Sequence, residues 1–364
     1  MSSSSSSSTS SSSSLLPTPH LEHLSPDPIF QMLTGFFVSR ALMAAVELNL
    51  FTKLSGGKQV NAQELQEMLG MERRPVEVFA TTLASLGLLQ KKEDKFSSSP
   101  LADAFLSRKS PAYMGGIIEM FDKRLYNSWS LLTWSLANNK PVDAINGGGA
   151  ESLFDDAKKN ESMEAIKKFT HAMHALSVGP AMALARAFDF TKCKRMLDVG
   201  GGSGVYALQV AKEYPQMQAT VADLAPVCEV ADEYISRYGL AGRVRTHAID
   251  FFKDDLPKEY DVVFLSNVIH DYDEDKCIAL LKKAYASISD ERGGAVIISE
   301  WMLNDDKTGP VPSALMGLNM MIETNGGRNY SFAEVSSMLA KAGFKKMEKR
   351  PLAGPAEIAI GYKE

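Results

Sequence analysis

Arg195-Met196-Leu197-Asp198-Val199-Gly200-Gly201-Gly202-Ser203-Gly204 decides the fold. A short apolar run meets an acid and then breaks into glycines. Such a run reads as a buried strand, and the glycines as a tight turn where a ligand can approach the backbone closely. The spacing is not G-x-G-x-x-G, and no Lys-Ser/Thr follows, so a P-loop is excluded. Beyond it the pattern alternates. Helices are predicted over 206–214, 227–238, 274–288 and 332–342, and strands over 217–222, 244–248, 260–265, 294–299, 345–349 and 357–362. Continuous apolar strands alternating with helices imply an α/β fold with a mostly parallel, doubly wound, Rossmann-like sheet. The last two strands, joined by a short link, read as an antiparallel edge pair.

Ligands of open parallel sheets bind at the carboxyl ends of the strands. Asp223 ends the second strand, about 20 residues past the loop, where a carboxylate can accept both ribose hydroxyls of an adenosine. Asp250 follows the third strand and precedes Phe251 and Phe252. An acid beside an aromatic ring suits an adenine amino group and ring face. Each acid alone is an ordinary loop residue. Asp198, Asp223 and Asp250 together, at three consecutive strand ends, point to a nucleoside-containing cofactor.

The N-terminal part differs. Residues 29–37 and 41–50 read as two apolar helices. Asn61 and Glu64 form an N-cap signature, a helix over 75–86 ends at Gly87, and 88–96 reads as a β-ribbon. Helices with a ribbon make a winged-helix arrangement, which serves either DNA binding or dimerisation. Its recognition-helix region carries only Arg73 and Arg74 as cations, too few for phosphate contacts, so dimerisation is expected. Residues 112–188 are mostly helical, with a Gly-rich break at 141–150 and a long helix over 162–187 interrupted near Gly179-Pro180. The expected domains are therefore a tail (1–25), a winged-helix-like dimerisation domain (26–111), interdomain helices lining a substrate pocket (112–190) and a cofactor-binding catalytic domain (191–364).

The 364 residues carry a net charge of −5, and no basic stripe suggests a nucleic-acid partner. No apolar run of about 18 residues is evident, so no membrane span is expected. The first 14 residues are nearly all serine, which predicts a disordered tail. No Lys or Arg precedes Arg40, whereas transit peptides carry arginines, and a cytoplasmic location is expected, with organelle import as the alternative. Cys193, Cys228 and Cys277 match no metal spacing and read as buried thiols. No His/Cys/Asp/Glu cluster has ligand spacing, so metal-independent chemistry is expected.

Three motifs carry a family resemblance. They are Asp198 to Gly204, the run His270-Asp271-Tyr272-Asp273-Glu274-Asp275-Lys276-Cys277, and the trio Phe169, Met173 and Ser177. The chain resembles, over about 29–362, the small-molecule S-adenosylmethionine-dependent O-methyltransferases of the plant phenolic and acetylserotonin type. The resemblance implies a class I methyltransferase sheet and a homodimer that binds S-adenosylmethionine and releases S-adenosylhomocysteine. It implies cofactor contacts from Asp198, Gly200, Gly202, Asp223, Leu224, Asp250, Phe251, Ser266, Met173 and Ser177. His270 takes the place of the general base and Glu300 that of its orienting acid. Ser266 stands where plant members carry lysine, and Asn329 where a second acid is expected.

An asparagine cannot stabilise an imidazolium as a carboxylate does. An acceptor without a proton to lose is thus an alternative. A thioether acid of the methylthiohydroxybutyrate type would be one, its carboxylate received by Lys123, Arg124 or Arg328. The alternative from another class is a winged-helix regulator with a sensor domain. Substrate contacts are expected from Tyr126, Trp129, His174, Asn319, Met320, Glu323, Arg328 and Asn329, with Met173 and Met316 beside them.

Overall fold

The structure, a computed structural model, describes residues 24–146, 163–290 and 294–364. The serine-rich tail and residues 147–150 of the Gly-rich break lie outside the described residues. The first helix, α1 (Asp27–Glu47), is continuous, where two helices were expected. Nothing between Phe37 and Ala41 breaks a helix, and the Ser39 hydroxyl bonds back to the Gly35 carbonyl. Only the C-terminal part of α1 is buried, through Met43, Ala45 and Val46. Ile29, Phe30, Met32, Leu33, Phe36 and Phe37 are exposed. Among the described residues α1 is the one helix long and apolar enough to cross a membrane by length and composition, which corrects the expectation that no run reaches that length.

After α1 come α2 (Leu50–Lys53), β1 (Val60–Asn61), α3 (Ala62–Leu69), α4 (Arg73–Ser85), β2 (Leu89–Lys92), β3 (Lys95–Ser98) and α5 (Pro100–Phe105). Asn61 and Glu64 form the expected capping box on α3. Gly87 ends the α4 region at a positive φ of 71°. The three strands pair antiparallel in the order β1-β3-β2. Phe51, Leu54, Leu65, Leu83 and Phe96 form the core beneath them.

The linking helices are α6 (Gly115–Met120), a π-helical turn (Phe121–Leu125), α7 (Tyr126–Trp129), α8 (Leu132–Asn138) and a short 3-10 turn (Val142–Asn146). The long α9 (Met163–Ala187) continues unbroken through Pro180, which corrects the expected interruption. Proline removes one hydrogen bond, but the turns beyond it are held by Ala181, Leu184 and Ala185, all buried in the main core.

Seven strands make the main sheet: β4 (Arg195–Val199), β5 (Gln218–Asp223), β6 (Val244–Ala248), β7 (Val262–Ser266), β8 (Gly294–Glu300), β9 (Met347–Ala353) and β10 (Ala356–Lys363). Their order is β6-β5-β4-β7-β8-β10-β9. The first five are parallel, and β10 runs antiparallel to both its neighbours. Helices α10 (Val205–Glu213), α11 (Ala225–Arg237), α12 (Glu274–Ser287), α13 (Val311–Glu323) and α14 (Phe332–Ala342) complete the chain. Helices α9, α10 and α11 cover one face of the sheet, and α12 and α14 the other. The chain leaves β4 in one direction and returns to its other side at β7. The crevice at their carboxyl ends is therefore the topological switch point, where such sheets bind ligands.

Phe264 lies fully buried in the middle strand β7 and packs on Tyr206. Phe264→Ala should cost about 3–5 kcal/mol of unfolding free energy in urea titration. A loss below about 1 kcal/mol would contradict this packing.

Candidate active site

The site is built on the loop after β4. Gly200, Gly202 and Gly204 have φ of 65°, 57° and 73°, a region other residues seldom occupy. A Cβ on Gly204 would also lie 2.8 Å from Val221, while one on Gly202 meets nothing within 4 Å. The Asp223 carboxylate joins the next strand end to this loop. One oxygen accepts from the Gly202 N–H at 2.8 Å and the other from the Leu224 N–H at 2.7 Å. Asp250 accepts from the Phe252 N–H and lies 3.1 Å from the Lys253 ammonium. Burial raises the Asp198 carboxyl to about 7 and that of Asp223 to about 6.

These groups border a cavity of about 880 Å³. All ten residues assigned to the cofactor from the sequence stand on its wall: Asp198, Gly200, Gly202, Asp223, Leu224, Asp250, Phe251, Ser266, Met173 and Ser177. The wall fits a nucleoside-type group. The glycine backbone is open at Gly202, Asp223 presents a carboxylate at the adjacent strand end, and Phe251 offers a ring beside Asp250. The volume accommodates a cofactor together with a small acceptor. Among the described residues no three His, Cys, Asp or Glu are grouped as metal ligands.

His270 also borders the cavity, in a short 3-10 turn after β7. Its Nδ1 lies 2.5 Å from Oε2 of Glu300, the last residue of β8. The other Glu300 oxygen accepts the backbone N–H groups of Val268 and His270. Nδ1 is thereby committed, and Nε2 is the ring nitrogen that remains for chemistry. Asp271 Oδ1 lies 3.6 Å from Nε2 and, although buried, has no hydrogen-bond partner. Burial pushes the imidazole pKa down, but the Glu300 and Asp271 carboxylates and the Glu300 hydrogen bond outweigh it and hold it up at about 9. Burial raises the Asp271 carboxyl to about 6.

Asn319, Met320, Glu323 and Met316 line the same cavity, as do Met120, Phe121, Leu125, Ile166 and Phe169. Glu323 is paired with Arg124 at 2.7 Å. Four residues expected on this wall lie elsewhere. Tyr126 sits under the Arg40 guanidinium in a separate hollow beside α1. Trp129 stands behind Asn319 and donates its indole N–H to Oδ1 at 3.0 Å. Arg328 is half exposed and turns toward Glu334. Asn329 donates to the Trp301 carbonyl. His174 does border the cavity, but its ring bonds to Ser203 of the glycine loop. Sequence reasoning missed the π-helical wall residues Phe121 and Leu125, whose register no simple periodicity reveals. It also assigned no role to Asp271, although that residue directly follows His270.

Comparison with known proteins gives a direct result. Residues 137–345 match the O-methyltransferase domain family, and residues 30–108 match the O-methyltransferase dimerisation domain. The chain belongs to the O-methyltransferase family. It is 33% identical over 335 residues to the 3-hydroxy-5-methyl-1-naphthoate 3-O-methyltransferase of Streptomyces sahachiroi, covering 92% of this chain and 94% of that one. It is also 33% identical to the tetracenomycin polyketide synthesis 8-O-methyl transferase of Streptomyces glaucescens, covering 95% and 99%. The structure of PigF with S-adenosylhomocysteine superposes with a TM-score of 0.84 at 27% identity, covering 93% and 100%. Human N-acetylserotonin methyltransferase has the same fold, with a TM-score of 0.84 at 24% identity and coverage of 94% and 99%.

This O-methyltransferase is an S-adenosylmethionine-dependent enzyme of small molecules. Both Streptomyces relatives act on hydroxyl groups, and the thioether and regulatory alternatives gain no support. The winged-helix part is its dimerisation domain.

The His270–Glu300 pair makes a pH prediction for the ligand-free enzyme. A histidine pKa raised from 6.5 to about 9 contributes stability that is full below pH 6.5 and lost as the pH rises through about 9. The melting-temperature difference between wild type and Glu300→Gln should therefore shrink across that window. A difference that is constant or grows would contradict the pairing.

Proposed function

We propose that this O-methyltransferase methylates a hydroxyl on an aromatic, polyketide-type acceptor, with His270 as the general base. The observation that carries this reading is the 2.5 Å contact of His270 Nδ1 with Glu300, which leaves Nε2 as the ring nitrogen not engaged by Glu300, in a side chain on the cavity wall. S-adenosylmethionine supplies, when bound, an electrophilic methyl on a positively charged sulfur. The ten wall residues named above would hold it, with Asp223 on the ribose and Asp250 and Phe251 at the adenine. Phe121, Ile166, Phe169, Met316 and Met320 give the acceptor an apolar slot suited to a flat ring. His270 takes the hydroxyl proton on Nε2 as the oxygen attacks, and Glu300 holds the resulting imidazolium. Asp271 supplies a second carboxylate near the ring, so Asn329 is not needed in that role. In the cofactor-free site the ring is cationic at neutral pH. It gives up its proton more readily once a positive sulfonium stands nearby.

His270→Ala should lower kcat by about 10²–10⁴ on a hydroxylated aromatic acceptor, while S-adenosylhomocysteine affinity in calorimetry stays near wild type. A loss below tenfold, with the methyl still going to oxygen, would remove His270 from the base role.

The dimerisation domain is proposed to form a homodimer through the exposed face of α1. Phe30, Phe36 and Phe37 are exposed on this helix, and exposed apolar side chains suit burial against a second copy. Light scattering should give twice the chain mass for wild type and a lower value for the double variant F30E/F37E. A wild-type monomer that partitions into lipid vesicles would instead assign the same face to a membrane.

A further inference from the structure

His174, near the middle of α9, was expected to face the acceptor. Its ring instead lies against the glycine loop, with Nδ1 2.8 Å from the Ser203 hydroxyl. The ring plane is fixed from behind. It stacks on Tyr234 of α11, with centroids 3.8 Å apart and planes 13° from parallel. Tyr234 is held in turn, its hydroxyl 2.7 Å from His171 Nδ1 and its ring under the Arg237 guanidinium.

Ser203 is buried between Gly202 and Gly204, both at positive φ. Glycines give this segment the greatest backbone freedom of the site. A cofactor that binds along it must fix that freedom, unless the protein has already done so. The Asp223 carboxylate pins the loop from the sheet side through the Gly202 N–H. The imidazole pins it from the helix side through Ser203.

We propose that His174 is a positioning residue of the cofactor site, holding the glycine loop in its binding shape through Ser203 rather than contacting the acceptor. Burial, with the nearby His171 and Arg237, lowers the imidazole pKa to about 4. The ring is therefore neutral, and in its Nε2–H tautomer the Ser203 hydroxyl donates to Nδ1. The helix that lines the substrate pocket thus also sets the cofactor loop.

The test is calorimetric titration of the full-length enzyme with S-adenosylhomocysteine. His174→Phe keeps the stack on Tyr234 and removes the hydrogen bond. It should raise Kd about five- to tenfold, as expected for one lost hydrogen bond. His174→Asn places an amide near the position of Nδ1 and should recover most of that loss. Ser203→Ala cuts the same bond without touching the helix and should match His174→Phe, and the double variant should be no weaker than either. The Michaelis constant for S-adenosylmethionine should rise with Kd while kcat at saturation changes less. Wild-type Kd in both His174→Phe and Ser203→Ala would overturn the proposal. So would additive losses in the double variant, or a rise confined to the Michaelis constant of the acceptor.

Discussion

Five strands paired in parallel must all end on the same edge of the sheet. That constraint gathers residues spread over a hundred positions into one site. Asp198 belongs to β4, Asp223 ends β5, Asp250 follows β6, His270 follows β7 and Glu300 ends β8. No two of these acids and bases are neighbours in the chain. Their meeting depends on strand register, and register depends on the continuous burial of Leu197, Val221, Phe264 and Ile297 along the strands. The chemistry at the edge is therefore coupled to apolar packing in the middle.

Two carboxylates convert that edge from a set of loose ends into a shaped wall. Asp223 spends its oxygens on the Gly202 and Leu224 amides, and Glu300 spends its own on the His270 ring and two backbone amides. Glu300 is buried and Asp223 partly so, and both find donors, as acceptors withdrawn from water must. Asp271 differs, because one of its buried oxygens lacks a hydrogen-bond partner and faces the imidazole. A carboxylate left in that state keeps a positive charge favourable at His270. That is useful where a proton is to be accepted and costly where it is not. The site thus trades stability for poise, which is common at catalytic centres.

The strands and the glycine turn were legible in the sequence because burial and glycine leave strong local signals. The strand ending in Asp198, the capping box at Asn61 and the turn at Gly87 needed nothing beyond neighbouring residues. That the ten positions assigned to the cofactor share one cavity was legible because each sits at or beside a strand end, or on one face of α9. The acceptor wall was harder. Tyr126 and Trp129 look like pocket residues by type, but the π-helical turn before them shifts the register and brings Phe121 and Leu125 inward instead. Asn329 drew attention as a substitution for an acid. The structure engages its amide at the Trp301 carbonyl and places the Asp271 carboxylate beside the His270 ring. The continuity of α1 and of α9 through Pro180 was hidden because packing, not propensity, decides both.

Methyl transfer from S-adenosylmethionine to a hydroxyl oxygen at this edge can be followed by incubating the enzyme with isotopically labelled S-adenosylmethionine and a panel of hydroxylated naphthoate and polyketide-type aromatics, then locating the label in the product by mass spectrometry and NMR. The expected product is an aryl methyl ether, with one labelled methyl on oxygen and S-adenosylhomocysteine formed in equal amount. A labelled methyl on sulfur, nitrogen or carbon with no ether product would contradict it.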